Sequence, residues 1–86
     1  MTVQEIRNEI DALYSEMLPL FIKSMELTCE LGKEKAKEGK SLADRKREEE
    51  ILENAVAQTP QNMQNYSIEL FREIIRMSKQ YYDDMK

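Results

Sequence analysis

Histidine is absent from this chain of 86 residues. The chain therefore lacks the usual general base and the commonest metal ligand. Nucleophiles that are activated by a histidine, such as Ser-His and Cys-His pairs, are excluded. If the protein is an enzyme, its chemistry must depend on the placement of charges rather than on a histidine base.

Cysteine, glycine and proline are scarce as well. Cys29 is the single cysteine, so an internal disulfide is excluded and a reducing compartment is indicated. No apolar run approaches the roughly 20 residues of a membrane span, and the N-terminus lacks the apolar core of a signal peptide. We therefore expect a cytoplasmic protein that does not enter a membrane.

Charge is plentiful but is not concentrated in one place. Charged residues make up 35% of the chain, apolar residues make up 41%, and the net charge is -4. No basic arm or stripe stands out, so we expect no nucleic-acid partner. The length supports a single domain over residues 1–86 with a modest core, and a monomer of this size would be only marginally stable.

Apolar residues recur every three or four positions, which predicts an all-α fold with no strand. The first helix is predicted from about Val3 to Glu38, with a kink at Pro19 and a stop at Gly39. The second helix follows a cap at Ser41 or Asp44. The third is predicted to follow Thr59 as N-cap, with Pro60 as its first residue, and to end at about Asp84. The first stripe comprises Val3, Ile6, Ile10, Leu13, Met17, Leu20, Leu27 and Leu31.

The length of the first helix predicts a homodimer. About 36 helical residues rise about 54 Å, whereas a compact chain of this size is only about 30 Å across. The protruding apolar stripe needs cover, and a second copy of the chain is the simplest cover. The alternative is a sharp break at Pro19, which would give a monomeric four-helix bundle.

Polar residues interrupt each apolar stripe, and a buried charge is costly unless it is paired or meets a ligand. Their co-occurrence favours a polar pocket inside the bundle, although each has an ordinary alternative. Lys35 could extend to solvent, the charged turn could be a helix cap, and Ser78 could bond a backbone carbonyl. These residues are Ser24, Thr28, Lys35, Asp44, Arg47, Glu48 and Ser78.

Three stretches in order resemble the all-helical (type II) chorismate mutases. They are residues 6–13, a G-x-x-K at 32–35 followed nine residues later by D-x-x-R-E at 44–48, and L-F-x-x-I-I-x-x-S at 70–78. The resemblance covers nearly the whole chain. It implies a three-helix protomer in an intertwined homodimer with two shared active sites.

The activity that this resemblance implies is the rearrangement of chorismate to prephenate, in the shikimate pathway to the aromatic amino acids. This reaction needs no nucleophile, metal or cofactor. Catalysis would come from holding the substrate in a compact conformer, with cations placed on its carboxylates and its ether oxygen. The chain could be a whole enzyme or the mutase domain of a longer one.

The resemblance also implies site residues. Lys35 would bond the ether oxygen and a carboxylate, and Arg47 would support the site and bind a carboxylate. Asp44 and Glu48 would contact the substrate hydroxyl, with Glu48 using its side chain. Arg7 would reach into the partner's site to bind a carboxylate, and Ser78 would bind a carboxylate. The implied catalytic residues are thus Lys35, Arg47 and Glu48.

Two further substrate-binding positions depart from the family pattern. Ser24 stands where the family usually has an arginine, and Tyr82 stands where it usually has Gln or Glu. Each lost contact is expected to cost on the order of 2–4 kcal/mol of transition-state binding, which predicts weakened activity.

The alternative is a non-catalytic helical dimer that acts as a regulatory or interaction module. A third possibility, an unrelated acidic coiled-coil adaptor, is disfavoured by Lys35, Glu48 and Ser78 within the stripes.

Overall fold

The computed structural model describes all residues, Met1–Lys86, and contains three α-helices and no strand. Helix α1 spans Val3–Lys37, α2 spans Arg45–Ala57, and α3 spans Gln64–Asp84. A short 3₁₀ turn at Gln61–Met63 precedes α3. The predicted all-α protomer with a long first helix is confirmed.

Helix α1 is one continuous helix of 35 residues. The Thr2 hydroxyl caps its start by accepting a hydrogen bond from the Glu5 N–H at 3.1 Å. Pro19 lies inside the helix without interrupting it, because a proline removes only one backbone donor and the following turns bond normally. The alternative in which the helix breaks at Pro19 is therefore wrong.

A Schellman motif ends α1 and directs the chain toward α2. Gly39 has a φ of 72°, the left-handed conformation that glycine adopts without a steric penalty. The Gly39 N–H donates to the Ala36 carbonyl at 3.0 Å, and the Lys40 N–H donates to the Lys35 carbonyl at 2.9 Å. The prediction that Gly39 stops the first helix is confirmed, and the turn places the start of α2 beside Lys35.

The caps of the other two helices differ from each other. Asp44, rather than Ser41, caps α2, since its side chain accepts a hydrogen bond from the Arg47 N–H. Thr59 was predicted to cap α3, and this is wrong. Its hydroxyl bonds instead to the Ala55 carbonyl at 2.6 Å and to the Ser67 hydroxyl at 2.8 Å, so it joins the end of α2 to α3.

Helix α3 packs against both α1 and α2. It approaches α1 closely at Gly32, where an added Cβ would lie 2.5 Å from Cε1 of Tyr82. Only four residues of the 86 are buried: Gly32, Ala55, Ser78 and Tyr82. The small core is what three helices of this length can form when one of them extends beyond the other two.

The first half of α1 extends beyond the rest of the chain. We refer to residues 3–20 as the projecting arm, and every residue in it is exposed. The molecule measures 55 × 27 × 15 Å, with a radius of gyration of 15.9 Å, whereas a compact chain of this length has about 12 Å. No helix combines the length and the apolar character that a membrane span requires. The exposed large apolar residues of the arm are Val3, Ile6, Ile10, Leu13, Tyr14, Met17, Leu18 and Leu20.

Candidate active site

A cavity of about 560 Å³ lies where α1, the start of α2 and α3 meet. This volume is in the range of small-molecule sites in proteins. Helix α1 contributes Thr28, Leu31 and Lys35, which are three or four residues apart and therefore share one face. Helix α3 contributes Ile75 and Lys79. The remaining wall is the charged first turn of α2.

Lys35 does not extend to solvent, because only 17% of its side chain is exposed. Its Nζ lies 3.7 Å from Oδ2 of Asp44 and 3.5 Å from the carbonyl oxygen of Leu42, to which it donates. The Lys35 ammonium therefore joins the end of α1 to the loop before α2, and it lies at the cavity. Its two neighbours leave at least one of its three donors for a ligand.

Asp44 holds Lys35 in this position. The pKa of its carboxyl is lowered from the ordinary value of 3.8, first by the hydrogen bond from the Arg47 N–H and also by the charge of Lys35, which together outweigh the opposing effect of desolvation. The carboxylate is therefore ionised at neutral pH and remains both a helix cap and a counter-ion. The N-terminus of α2 adds positive potential at the same place.

Glu48 faces the cavity from the next turn of α2. Its Oε2 accepts a hydrogen bond from the Asp44 N–H at 3.3 Å. The Lys79 ammonium donates to both Glu48 oxygens, at 3.2 and 3.3 Å. Glu48 and Lys79 are both partly buried, with 29% and 37% of their side chains exposed. This ion pair joins α2 to α3 across the cavity wall.

Lys79 is the residue that sequence reasoning missed. It lies four residues after Ile75 and so continues the apolar face of α3 toward the cavity. The residue predicted on this helix was instead Ser78, which lies about 100° away around the helix. The usable signal was a lysine at the end of an apolar stripe, which is the same signal that identified Lys35 on α1.

Arg47 lies at the rim of the cavity. Its side chain is 57% exposed, and Nη1 is 3.6 Å from Oε2 of Glu50. An exposed ion pair of this kind contributes only about 0–1 kcal/mol. The guanidinium can therefore exchange Glu50 for another carboxylate at little cost.

Ser24, Ser78 and Tyr82 do not line this cavity. The Ser24 hydroxyl donates to the Phe21 carbonyl at 2.7 Å. Ser78 is 5% exposed and donates to the sulfur of Met25 at 3.3 Å. The Tyr82 ring packs on Gly32 of α1. In the single chain these three side chains therefore have protein partners outside the cavity.

Arg7 lies on the projecting arm, 28 residues before Lys35 on the same helix. The two residues are therefore about 42 Å apart along the helix axis. Arg7 cannot reach the cavity of its own chain. Any site that uses both residues must take Arg7 from another copy.

No three His, Cys, Asp or Glu side chains are grouped in a way that could hold a metal ion. The chemistry that the cavity offers is that of three ammonium groups, a guanidinium and three carboxylates beside four apolar side chains. Such a site can bind a small anion that also carries a hydroxyl group, and it can stabilise negative charge that develops during a reaction.

Comparisons with known proteins agree with this description of the fold. The family model for type II chorismate mutase matches residues 6–82. Searches among curated proteins and among solved structures gave no match. Because the family model covers nearly the whole chain, the chain belongs to the type II chorismate mutase family, and its function is chorismate mutase-like.

Proposed function

We propose that this protein is a chorismate mutase, which rearranges chorismate to prephenate in aromatic amino-acid biosynthesis. The observation that carries the proposal is that Lys35, Asp44, Arg47 and Glu48 line one cavity of small-molecule size in a chain of this family. We further infer a single domain over residues 1–86 that acts in the cytoplasm, where the lone Cys29 would stay reduced.

The proposed reaction occurs within one molecule. The ether C–O bond breaks while a new C–C bond forms, so no atom, proton or electron leaves the substrate. The site has to hold a reactive conformer and to stabilise charge on the ether oxygen. Lys35 is the proposed donor to that oxygen, because it is largely buried and keeps a free N–H.

The other three residues would fix the two ends of the substrate. Arg47 at the rim would bind a carboxylate in a two-point contact. Glu48 would accept a hydrogen bond from the ring hydroxyl, and Asp44 would hold Lys35 in place while its backbone orients Glu48.

We propose that the active form is an intertwined homodimer in which each arm covers the other chain. Its support is the row of exposed apolar side chains on the arm, which has no counterpart within its own chain. Burial of such side chains is the main driving force of association. In this arrangement Arg7 would bind a substrate carboxylate in the partner's cavity.

The shared site can be tested by mixing two defective chains. Arg7→Ala and Lys35→Ala homodimers should each have little activity. A mixed dimer of the two would contain one site with both residues intact, so activity should return to up to half of the wild-type value in that species. A mixture that exchanges subunits and stays as inactive as its parents would rule out shared sites.

Two positions support weakened activity. The expected arginine is missing at Ser24, and the Ser24 hydroxyl is used by the Phe21 carbonyl. Tyr82, where the family usually has Gln or Glu, packs on Gly32 and does not line the cavity of the single chain. These observations also favour the second candidate, a non-catalytic helical dimer that acts as a regulatory or interaction module.

A steady-state assay on the whole chain, following the loss of chorismate absorbance, separates the two candidates. Lys35→Ala should lower kcat/KM by about 100-fold or more, because it removes a buried electrostatic contact. Lys37→Ala is the matched control, since Lys37 is in the same last turn of α1 but its side chain is 71% exposed.

The outcomes of this assay are distinct. Turnover that falls with Lys35→Ala and not with Lys37→Ala supports the mutase. A folded, dimeric wild-type chain with no turnover favours the non-catalytic module. A loss below about threefold in a folded Lys35→Ala chain would mean that Lys35 is structural.

A further inference from the structure

Lys79 brings a positive charge into the cavity from α3, whereas Lys35 does so from α1. Its side chain is 37% exposed, which is low for a lysine whose partner is a single carboxylate. A lysine stem can lie along an apolar face with its ammonium in water, but the Lys79 ammonium instead contacts Glu48 at the cavity. This position needs an explanation that includes the cavity.

The charges at the cavity show what Lys79 changes. Four cationic side chains and three carboxylates line it, in a chain whose net charge is -4. Without Lys79 the cations and carboxylates would be equal in number. Lys79 therefore contributes, with the other three cations, to an excess of positive charge that attracts an anion by both steering and binding. The cations are Lys35, Lys46, Arg47 and Lys79, and the carboxylates are Asp44, Glu48 and Glu50.

The contact of Lys79 with Glu48 can be exchanged. Both side chains are partly open to solvent, so the ion pair contributes little to stability. Glu48 has a second fixed partner, the Asp44 N–H at 3.3 Å. If the Lys79 ammonium moves to a ligand, Glu48 keeps its orientation and gains a free lone pair for a ligand hydroxyl.

We propose that Lys79 is a substrate-binding residue that holds one carboxylate of the substrate. This inference rests on the proposed function. The incoming carboxylate takes over the Lys79 ammonium from Glu48, and the released oxygen of Glu48 accepts the hydrogen bond of the substrate hydroxyl. The ion pair seen in the free chain is thus the resting state of two binding residues.

The proposal competes with a structural role in which Lys79 only joins α3 to α2. The two roles differ in the kinetic parameter that they move. Loss of a carboxylate contact made before and during the reaction raises KM more than it lowers kcat. Loss of a structural clamp lowers the melting temperature and leaves KM unchanged in the fraction that is folded.

The test uses the whole chain with Lys79→Met, Lys79→Arg and the control Lys37→Met. Methionine keeps most of the length and apolar stem of lysine, and Lys37→Met removes the same charge from an exposed pair with Glu34. KM for chorismate should rise about 10- to 100-fold in Lys79→Met and return to within about fivefold in Lys79→Arg. Calorimetric affinity for prephenate, which is not consumed, should follow the same order.

Each outcome decides between the two roles. A change in KM and in prephenate affinity that is specific to Lys79→Met and is rescued by arginine supports the proposal. If the wild-type chain converts chorismate and Lys79→Met behaves like Lys37→Met, Lys79 is not a binding residue while the mutase assignment stands. If the wild-type chain neither converts chorismate nor binds prephenate, the mutase assignment fails, and the inference about Lys79 fails with it.

Discussion

The two halves of α1 have the same apolar spacing and opposite environments. In the projecting arm, residues 3–20, every side chain is exposed. In the second half, residues 21–37, seven residues are buried or half-buried, because α3 lies against that face. An apolar stripe therefore predicts that a helix face will be buried, but it does not predict which surface will bury it. The covered or half-covered residues are Phe21, Ser24, Met25, Thr28, Cys29, Gly32 and Lys35.

The same comparison separates two kinds of charged residue. Lys35 in the second half has its counter-ion, Asp44, at the start of α2 in the same chain, and both residues line the cavity. Arg7 in the arm has no cavity within reach. The arm thus has no partner within its own chain, whereas the second half of α1 forms one wall of the cavity.

The largest expected effect is the loss of the proposed dimer when a charged residue is introduced into the projecting arm. Leu13 is an exposed apolar residue in the middle of the arm, and Leu13→Asp would place a carboxylate in the proposed interface. An unpaired buried charge costs about 3–5 kcal/mol, so the dissociation constant should rise roughly 100-fold or more. Sedimentation equilibrium should then show the 10.2 kDa monomer at micromolar concentration.

The control for this change is Asn65→Asp, which adds the same charge at an exposed position on α3. It should leave the dimer intact. If the wild-type chain itself sediments only as a 10.2 kDa species, the arm does not pair with a second copy and the comparison between the halves of α1 loses its explanation.

A smaller effect is expected from Ser24→Arg, which restores a cation to the second half of α1. An added arginine–carboxylate contact in a dry site is worth about 2–3 kcal/mol, which is roughly 30- to 150-fold in kcat/KM. Adding Tyr82→Gln should raise activity further in the folded fraction, because both residues would touch one substrate. The control is Asn65→Arg, which adds the same group far from the cavity.

Ser24→Arg also tests whether the space beside residue 24 is open to a substrate or is filled by protein. Arginine in a core without an anion is an unpaired buried charge, which costs several kcal/mol. More turnover with little loss of melting temperature supports a substrate site beside residue 24. No turnover with a large loss of stability would mean that this face of α1 is only a packing surface.

The helices and the charged turn were predictable from sequence because local rules determine them. The start of α1, the Gly39 stop and the Asp44 cap depend on residues within one turn of each other. Thr59 was assigned wrongly because its hydroxyl has a distant competitor, Ser67 of α3. Local capping rules do not contain that partner.

The site was predictable only in part for the same reason. Lys35, Asp44 and Glu48 lie close together in the chain and meet through one short loop. Lys79 meets Glu48 across 31 residues of sequence, and the contact depends on how α3 rotates against α2. A rotation of one residue, about 100°, would have presented Ser78 instead.

A moderate effect is expected from Gly32→Ala, which adds one methyl group where α1 and α3 lie close together. Alanine normally favours a helix by about 1 kcal/mol over glycine, but here the new Cβ would lie 2.5 Å from the Tyr82 ring. Overpacking of this kind costs about 1–3 kcal/mol, so a net loss of about 1 kcal/mol is expected in urea unfolding at fixed protein concentration.

Two variants make the cause of that loss specific. Glu30→Ala adds an alanine at an exposed position of the same helix and should not destabilise the protein. In Gly32→Ala with Tyr82→Leu, the combined loss should be smaller than the sum of the single losses, because the smaller side chain accepts the methyl group. Additive losses would mean that the ring moves aside freely and that the contact does not set the spacing of the helices.

The smallest expected effect is the pH dependence that Asp44 gives to the second half of α1. Its pKa in the folded chain is lowered from 3.8, mainly by the Arg47 N–H and then by Lys35. The ionised carboxylate therefore stabilises the fold above that ordinary value, and this contribution is lost as pH falls through the lowered pKa. Asp44→Asn keeps an acceptor for the Arg47 N–H and removes only the charge. The melting temperature of the wild type should exceed that of Asp44→Asn at about pH 6, and the difference should shrink at about pH 3 and below. The effect is small because 46% of the Asp44 side chain is exposed.

Asp11→Asn, in the projecting arm, controls for the removal of a carboxylate in general. A difference that is absent at neutral pH would show that Lys35 is held by the Leu42 carbonyl alone, and that the charge of Asp44 is available to a ligand rather than to the fold.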